Sequence, residues 1–158
     1  MSAQKILEIA RAKGVMITTA ESCTGGLIAG SLTEIPGSSK VLDRGFVTYS
    51  NDAKMAMLGV RAATLEAHGA VSEEVAAEMA EGALYNSKAE LALSVTGIAG
   101  PGGSDHKPEG RVCFGVAQVG APTRTETVEF GARGRSAVRA ASVAHGIALL
   151  LDALTHKT

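Results

Sequence analysis

The chain predicts an α/β fold, a three-layer α/β/α sandwich around a mixed, mostly parallel sheet of about five strands. Three observations predict it. Short apolar runs of strand composition alternate with segments of helical apolar spacing as far as residue 95. Two strand-like runs, 112–119 and 125–130, are separated by the turn Gly120-Ala121-Pro122, which predicts a hairpin and so antiparallel pairing at one side of the sheet. A closing Ala/Leu-rich stretch, 136–154, reads as a helix with one face well buried.

The elements follow in order. Residues 3–13 form an amphipathic helix closed by Gly14, and the apolar run 15–20 is a buried strand. A helix starts near Gly25 and ends in the turn Ile35-Pro36-Gly37-Ser38-Ser39. Residues 45–50 have strand composition, and Asn51 or Asp52 caps a short helix over 53–58. Two more helices are predicted at 62–67 and 72–86, the second with Ser72 as N-cap and Glu73 and Glu74 placed favourably for the helix dipole. The strand 91–95 then runs into a Gly/Pro-rich loop, 96–110, whose length points to function. In open α/β sheets, sites gather at the carboxyl ends of strands. The junctions at Ser22, at 49–54 and at Thr96 all lie at such ends, so three segments converge on one pocket.

Composition narrows the function classes. The 158 residues, 46% of them hydrophobic, fit one domain spanning 1–158 with a core that needs no disulfide. The two cysteines, Cys23 and Cys113, lie in unlike contexts without a C-x-x-C or His cluster, so neither a structural zinc nor any other metal is predicted. A near-neutral balance of 15 basic and 16 acidic residues with 3% aromatics argues against a nucleic-acid partner. The N-terminal residues lack a signal-peptide apolar core, and no window approaches the roughly 18 uninterrupted apolar residues of a membrane helix. A reduced, cytoplasmic setting is expected, and the apolar composition is compatible with a homo-oligomer. Arg124, Arg133, Arg135 and Arg139 concentrate the positive charge, either as a solvated face or as a pocket for a phosphate or carboxylate.

Several segments carry candidate chemistry. Thr19-Ala20-Glu21-Ser22-Cys23-Thr24-Gly25-Gly26 places a serine and a cysteine at a strand-loop-helix junction, where backbone N–H groups lack intrahelical partners and glycines allow close approach. Ser22 is either a nucleophile or a helix N-cap; Cys23 is either a thiolate or a small buried hydrophobe. Tyr49-Ser50-Asn51-Asp52-Ala53-Lys54 supplies a lysine one turn past a strand end, which becomes a general base if poorly solvated, with Tyr49 able to hold or relay the proton. Ser39, in a Gly-Ser-Ser turn, matters only if that turn folds over the Ser22 junction. Residues 96–103, Thr-Gly-Ile-Ala-Gly-Pro-Gly-Gly, have the composition of a phosphate or oxyanion cradle but not the spacing of a P-loop or a dinucleotide fingerprint. The four histidines are scattered and do not support a Ser-His-Asp triad.

Taken together, residues 19–26, Pro36-Gly37-Ser38-Ser39, Arg44-Gly45-Phe46-Val47-Thr48-Tyr49-Ser50-Asn51, His68-Gly69-Ala70-Val71-Ser72 and Thr96-Gly97-Ile98-Ala99-Gly100-Pro101 closely resemble the CinA C-terminal domain family, the nicotinamide mononucleotide deamidases. The blocks span nearly the whole chain in the family's order. The resemblance implies an amidohydrolase that converts nicotinamide mononucleotide and water to nicotinic acid mononucleotide and ammonia in pyridine nucleotide recycling, with a metal-independent Ser/Lys/Tyr site and no cofactor. By position, Ser22, Ser39, Tyr49 and Lys54 match the active-site blocks, while Thr24, Gly25, Gly26, Thr96, Gly97, Ala99 and Gly100 form the pocket. Ser22 is the favoured nucleophile with Ser39 as rival, Lys54 the base and Tyr49 its partner in proton transfer. Two departures stand out. Lys107-Pro108-Glu109-Gly110-Arg111-Val112 carries an acid and a base where the family often has neutral residues, and the family's arginine before the last helix is matched by Arg135, through its spacing to Arg139, with Arg133 second. Many relatives also carry an N-terminal nucleotide-binding domain, so a stand-alone version is expected. A non-catalytic nucleotide-binding module, or an amidase acting on another small amide, are the alternatives.

Overall fold

The computed structural model describes residues 2–104 and 106–156. Among these residues five strands, β1 (Ile17–Glu21), β2 (Leu42–Val47), β3 (Leu91–Gly97), β4 (Arg111–Gln118) and β5 (Arg124–Glu129), form one sheet in the order β2-β1-β3-β4-β5. β1 pairs in parallel with both β2 and β3, β4 is antiparallel to β3, and β5 is antiparallel to β4. Four strands therefore point one way and β4 alone runs back, which is the mixed, mostly parallel sheet that the hairpin predicted.

Among the described residues, six helices cover the sheet: α1 (Ser2–Lys13), α2 (Leu27–Thr33), α3 (Asn51–Leu58), α4 (Ala62–His68), α5 (Glu73–Tyr85) and α6 (Arg135–Thr155). On one face, Ile6, Leu7 and Ala10 of α1, Ile28 and Leu32 of α2 and Val138, Ile147 and Leu150 of α6 pack with Ile17, Leu91, Leu93 and Phe114 of the sheet. On the other, Val75, Met79, Ala80 and Ala83 of α5 meet Leu58 of α3 and Ala20, Ala92 and Ala117. Small alanines on that sheet face let α5 sit close. The approach is closest at Gly82, where an added Cβ would lie 1.9 Å from the carbonyl oxygen of Leu58. Backbone cannot give way as a side-chain tip can, so Gly82→Ala should destabilise the fold by about 2–3 kcal/mol, read as a lower urea midpoint at unchanged m-value.

The local differences from expectation have simple causes. β2 begins at Leu42 because its pairing with β1 starts there, opposite Ile17. The cap of α3 is Ser50, whose side chain accepts from Ala53 N at 3.0 Å; Asn51 and Asp52 already lie inside the helix. Ser72 caps α5 as predicted, accepting from Val75 N. α6 is long and apolar enough by composition to cross a bilayer. Its apolar stripe packs on the sheet, and two of its polar side chains pair with β5: His145 lies 2.9 Å from Glu126, and Asp152 lies 3.9 Å from Arg124.

This topology sets the position of the site. The carboxyl ends of β1, β2 and β3 share one edge of the sheet, and the chain leaving β5 returns there to start α6 at Arg135.

Candidate active site

The turn after β1 is built around a buried carboxylate. Glu21, the last residue of β1, is 1% exposed; its Oε1 accepts from the Thr24 hydroxyl at 2.6 Å and from Ile28 N at 2.9 Å, and its Oε2 accepts from Ala29 N at 3.0 Å. The first N–H groups of α2, which the sequence offered to an external anion, are thus taken by the chain's own side chain. Gly25 and Gly26, at φ 59° and 102°, supply the left-handed turn that brings the helix back over that carboxylate. Ser22 N donates to Val95 O at 3.0 Å, extending the β1–β3 ladder by one residue, and Arg139 of α6 donates from Nε to Cys23 O at 3.1 Å. Ser22 is held from three sides.

Lys54 meets it from α3. The lysine is 2% exposed, and its Nζ donates to Ser22 Oγ at 3.1 Å and to the backbone carbonyl of Tyr49 at 3.5 Å. Burial pushes its pKa below the ordinary lysine value, with a smaller opposing pull from Cys23. A poorly solvated amine beside a hydroxyl is the pairing that deprotonates a serine.

Cys23 answers differently. Its thiol is buried and its pKa is pushed up to about 11, mainly by desolvation. It behaves as a small apolar residue rather than as a thiolate. Cys23→Ala should therefore keep turnover within a few-fold of the parent, and the native protein should react slowly with iodoacetamide at pH 8, measured by mass of the alkylated protein.

Tyr49 and Arg135 both line the cavity and meet each other. The Tyr49 side chain is 58% exposed, and its hydroxyl accepts from Arg135 Nη2 at 2.5 Å, while Arg135 Nη1 donates to Gly100 O at 2.7 Å. Lys54 meets only the backbone of Tyr49, so the structure pairs the phenol with the arginine and not with the lysine. The glycine-rich loop forms the far wall. Thr96, buried, anchors it through a bond from its hydroxyl to Ala70 O at 2.9 Å, and Lys107 Nζ donates to His68 O at 2.6 Å and Val71 O at 2.5 Å. The resulting cavity, about 370 Å³, is lined by Ser22, Tyr49, Lys54, the loop from Thr96 to Ser104, Lys107 and Arg135. That volume suits a mononucleotide-sized ligand.

Most of the residues singled out in the sequence converge here: Ser22, Tyr49, Lys54, Thr96, Gly97, Ala99, Gly100 and Arg135 all line the cavity. Thr24, Gly25 and Gly26 shape the turn behind Ser22 and do not line it. Ser39 is not brought to the pocket. It sits, exposed, in a short 3₁₀ turn (Ser38–Lys40) that leads into the amino end of β2, whereas Ser22 lies at the carboxyl end of β1. Arg133 is exposed and lies outside the cavity lining. Arg111 turns away into a bidentate pair with Glu129 across β4 and β5. Glu21 and Lys107 were missed as site-building residues, and Arg139, expected on a solvated face or in an anion pocket, instead holds the Cys23 carbonyl. A carboxylate at a strand end just before a helix is a readable signal for the first, but the other two depend on contacts across 36 and 116 residues.

The CinA C-terminal domain model matches residues 1–154. The chain belongs to the CinA C-terminal domain family. It is 46% identical over 156 residues to the nicotinamide-nucleotide amidohydrolase PncC of Escherichia coli (strain K12), a match covering 98% of this chain and 94% of that protein. A CinA-like protein of Chlorobium phaeobacteroides (strain BS1) is 60% identical over 125 residues, 77% of this chain and 30% of the relative. The chain spans only 30–34% of the length of that relative and of two similar ones. The crystal structure of competence/damage inducible protein CihA from Agrobacterium tumefaciens superposes with a TM-score of 0.93 at 50% identity, covering 98% of this chain and 94% of that one. The family's fold is therefore shared along almost the whole chain.

Proposed function

We propose that the chain hydrolyses the carboxamide of nicotinamide mononucleotide to nicotinic acid mononucleotide and ammonia, with Ser22 as nucleophile and Lys54 as base. The observation that carries this is the buried contact of 3.1 Å between Lys54 Nζ and Ser22 Oγ in a cavity of mononucleotide size. The similarity to an amidohydrolase over nearly its full length supports the choice of bond.

Neutral Lys54 takes the Ser22 proton as Oγ bonds to the carboxamide carbon, and the carbonyl oxygen becomes an oxyanion. The N–H groups of Ile28 and Ala29 are committed to Glu21, so the oxyanion is held by the turn at Cys23 and Thr24 or by the loop at Ala99 and Gly100. The Lys54 ammonium then gives its proton to the amide nitrogen, the C–N bond breaks, and ammonia leaves an acyl-Ser22. Water attacks that ester while Lys54 takes its proton; Lys54 returns the proton to Ser22 Oγ as the ester C–O bond breaks, and the free serine and the carboxylic acid separate. Arg135 and Lys107, which also line the cavity, are the further cations that could meet the 5′-phosphate.

The test is ammonia release from nicotinamide mononucleotide, run alongside several other small amides. Turnover of the nucleotide supports the assignment; thermal stabilisation by the nucleotide without ammonia, or preference for another amide, overturns it. Arg135→Ala should raise KM roughly ten- to a hundredfold with kcat within a few-fold, because a phosphate contact is the same in ground and transition states. Steady-state kinetics on the purified variant measure it.

A further inference from the structure

We propose that Glu109 is a positioning residue that fixes Arg135 for an anionic substrate group, and so sets the preference for a phosphorylated over an uncharged amide; this rests on the function proposed above. Glu109 lies outside the cavity lining, behind the glycine-rich loop. Its Oε1 accepts from Gly102 N at 2.6 Å and its Oε2 from Gly134 N at 3.3 Å. Both contacts are anchors of Arg135. Gly134 is the residue immediately before it, and Gly102 belongs to the loop whose Gly100 carbonyl accepts from Arg135 Nη1 at 2.7 Å. The side chain also occupies the space beside Gly100: a Cβ there would lie 2.6 Å from Glu109 Cδ. One carboxylate thus spans from the loop to the start of α6 and closes a ring of contacts through Gly102, Gly100, Arg135 and Gly134.

Two effects of Glu109 oppose each other. Its negative charge repels a phosphate, and its two hydrogen bonds hold the guanidinium in place. The carboxylate is half-buried, already accepts from two N–H groups, and sits at the amino end of the 21-residue α6, where the helix dipole offsets its charge. Order at Arg135 outweighs the residual repulsion, because an arginine already held in place loses less conformational freedom when it binds.

The test compares the parent, Glu109→Val and Glu109→Gln, each checked for an unchanged melting curve. Glu109→Val should raise KM for nicotinamide mononucleotide about tenfold with kcat within twofold, and leave kcat/KM for the nucleoside lacking the phosphate unchanged. Binding of ribose 5-phosphate by calorimetry should weaken by a similar factor. Glu109→Gln, which keeps an oxygen acceptor for Gly102 N, should restore most of both. Equal losses on nucleotide and nucleoside, tighter phosphate binding, or no change would each overturn the role of Glu109. If the parent itself releases no ammonia from nicotinamide mononucleotide, the proposed reaction fails, and the ribose 5-phosphate series still decides on Glu109.

Discussion

Lys54→Met is expected to remove turnover while making the protein more stable. Losing the base leaves Ser22 with no group to take its proton, so kcat should fall by at least about 10³-fold, within the range of general-base contributions. Methionine keeps the length and volume of the side chain in its buried slot. The stability gain follows from linkage. Burial holds the folded-state pKa of Lys54 below its unfolded value of 10.5, so the unfolded chain binds the proton more tightly. The lysine is therefore destabilising by its full amount below the folded pKa, and that cost fades as pH rises toward 10.5. At neutral pH the methionine variant should gain about 1–2 kcal/mol, a rise of a few degrees in Tm, and the gap should narrow in alkaline buffer. Differential scanning calorimetry at two pH values measures this. In the parent, kcat/KM should rise with pH through an apparent pKa below that of a free lysine, as neutral Lys54 accumulates. A variant that keeps its turnover would remove Lys54 from the chemistry.

Glu21→Leu should damage both stability and rate. Its carboxylate receives the Thr24 hydroxyl and the N–H groups of Ile28 and Ala29 in a water-free position, and leucine can accept none of them. Three donors left unpaired at about 1–3 kcal/mol each, partly relieved by relaxation of the turn, give a loss of roughly 3–5 kcal/mol. That is about 6–20 °C in Tm for a chain of this size. The turn that carries Ser22 would relax with it, and a shift near 1 Å at a nucleophile costs on the order of a hundredfold in kcat. Glu21→Gln, which retains one acceptor oxygen, should lose less of each. Urea unfolding and steady-state kinetics on the two variants separate the effects; equal losses in both would assign Glu21 a generic charge role instead of a hydrogen-bonding one.

How much of this was legible in the sequence depends on the range of the interaction. Helix and strand positions follow from apolar spacing and capping, which act over a few residues, and they agree with the structure to within a few positions. The hairpin at 120–122 announced its antiparallel pairing because Gly and Pro act locally. Ser50 displaced Asn51 as the cap because several polar residues in a row compete for one role, and only the strand end of β2 selects among them. The pairing of Ser22 with Lys54 was foreshadowed by two strand exits that parallel topology brings to the same edge. Ser39 failed to follow because a turn entering β2 lies at the other end of the strand from one leaving β1. The Tyr49 hydroxyl was matched to the wrong cation: adjacency in sequence suggested Lys54, whereas the long arm of Arg135 reaches it from 86 residues away. Side-chain reach across such separations leaves no trace in local pattern.

If the proposed phosphate contact is right, the bridge from Arg135 to Tyr49 makes anion binding an exchange of acceptors. An arriving anion can replace the phenol as the arginine's partner, so the guanidinium trades one acceptor for a stronger one. An uncharged amide would offer the guanidinium no such acceptor in place of the phenol. Under the proposed reaction, selectivity of this kind would rest on the arginine's change of acceptor and would need no steric filter at the carboxamide.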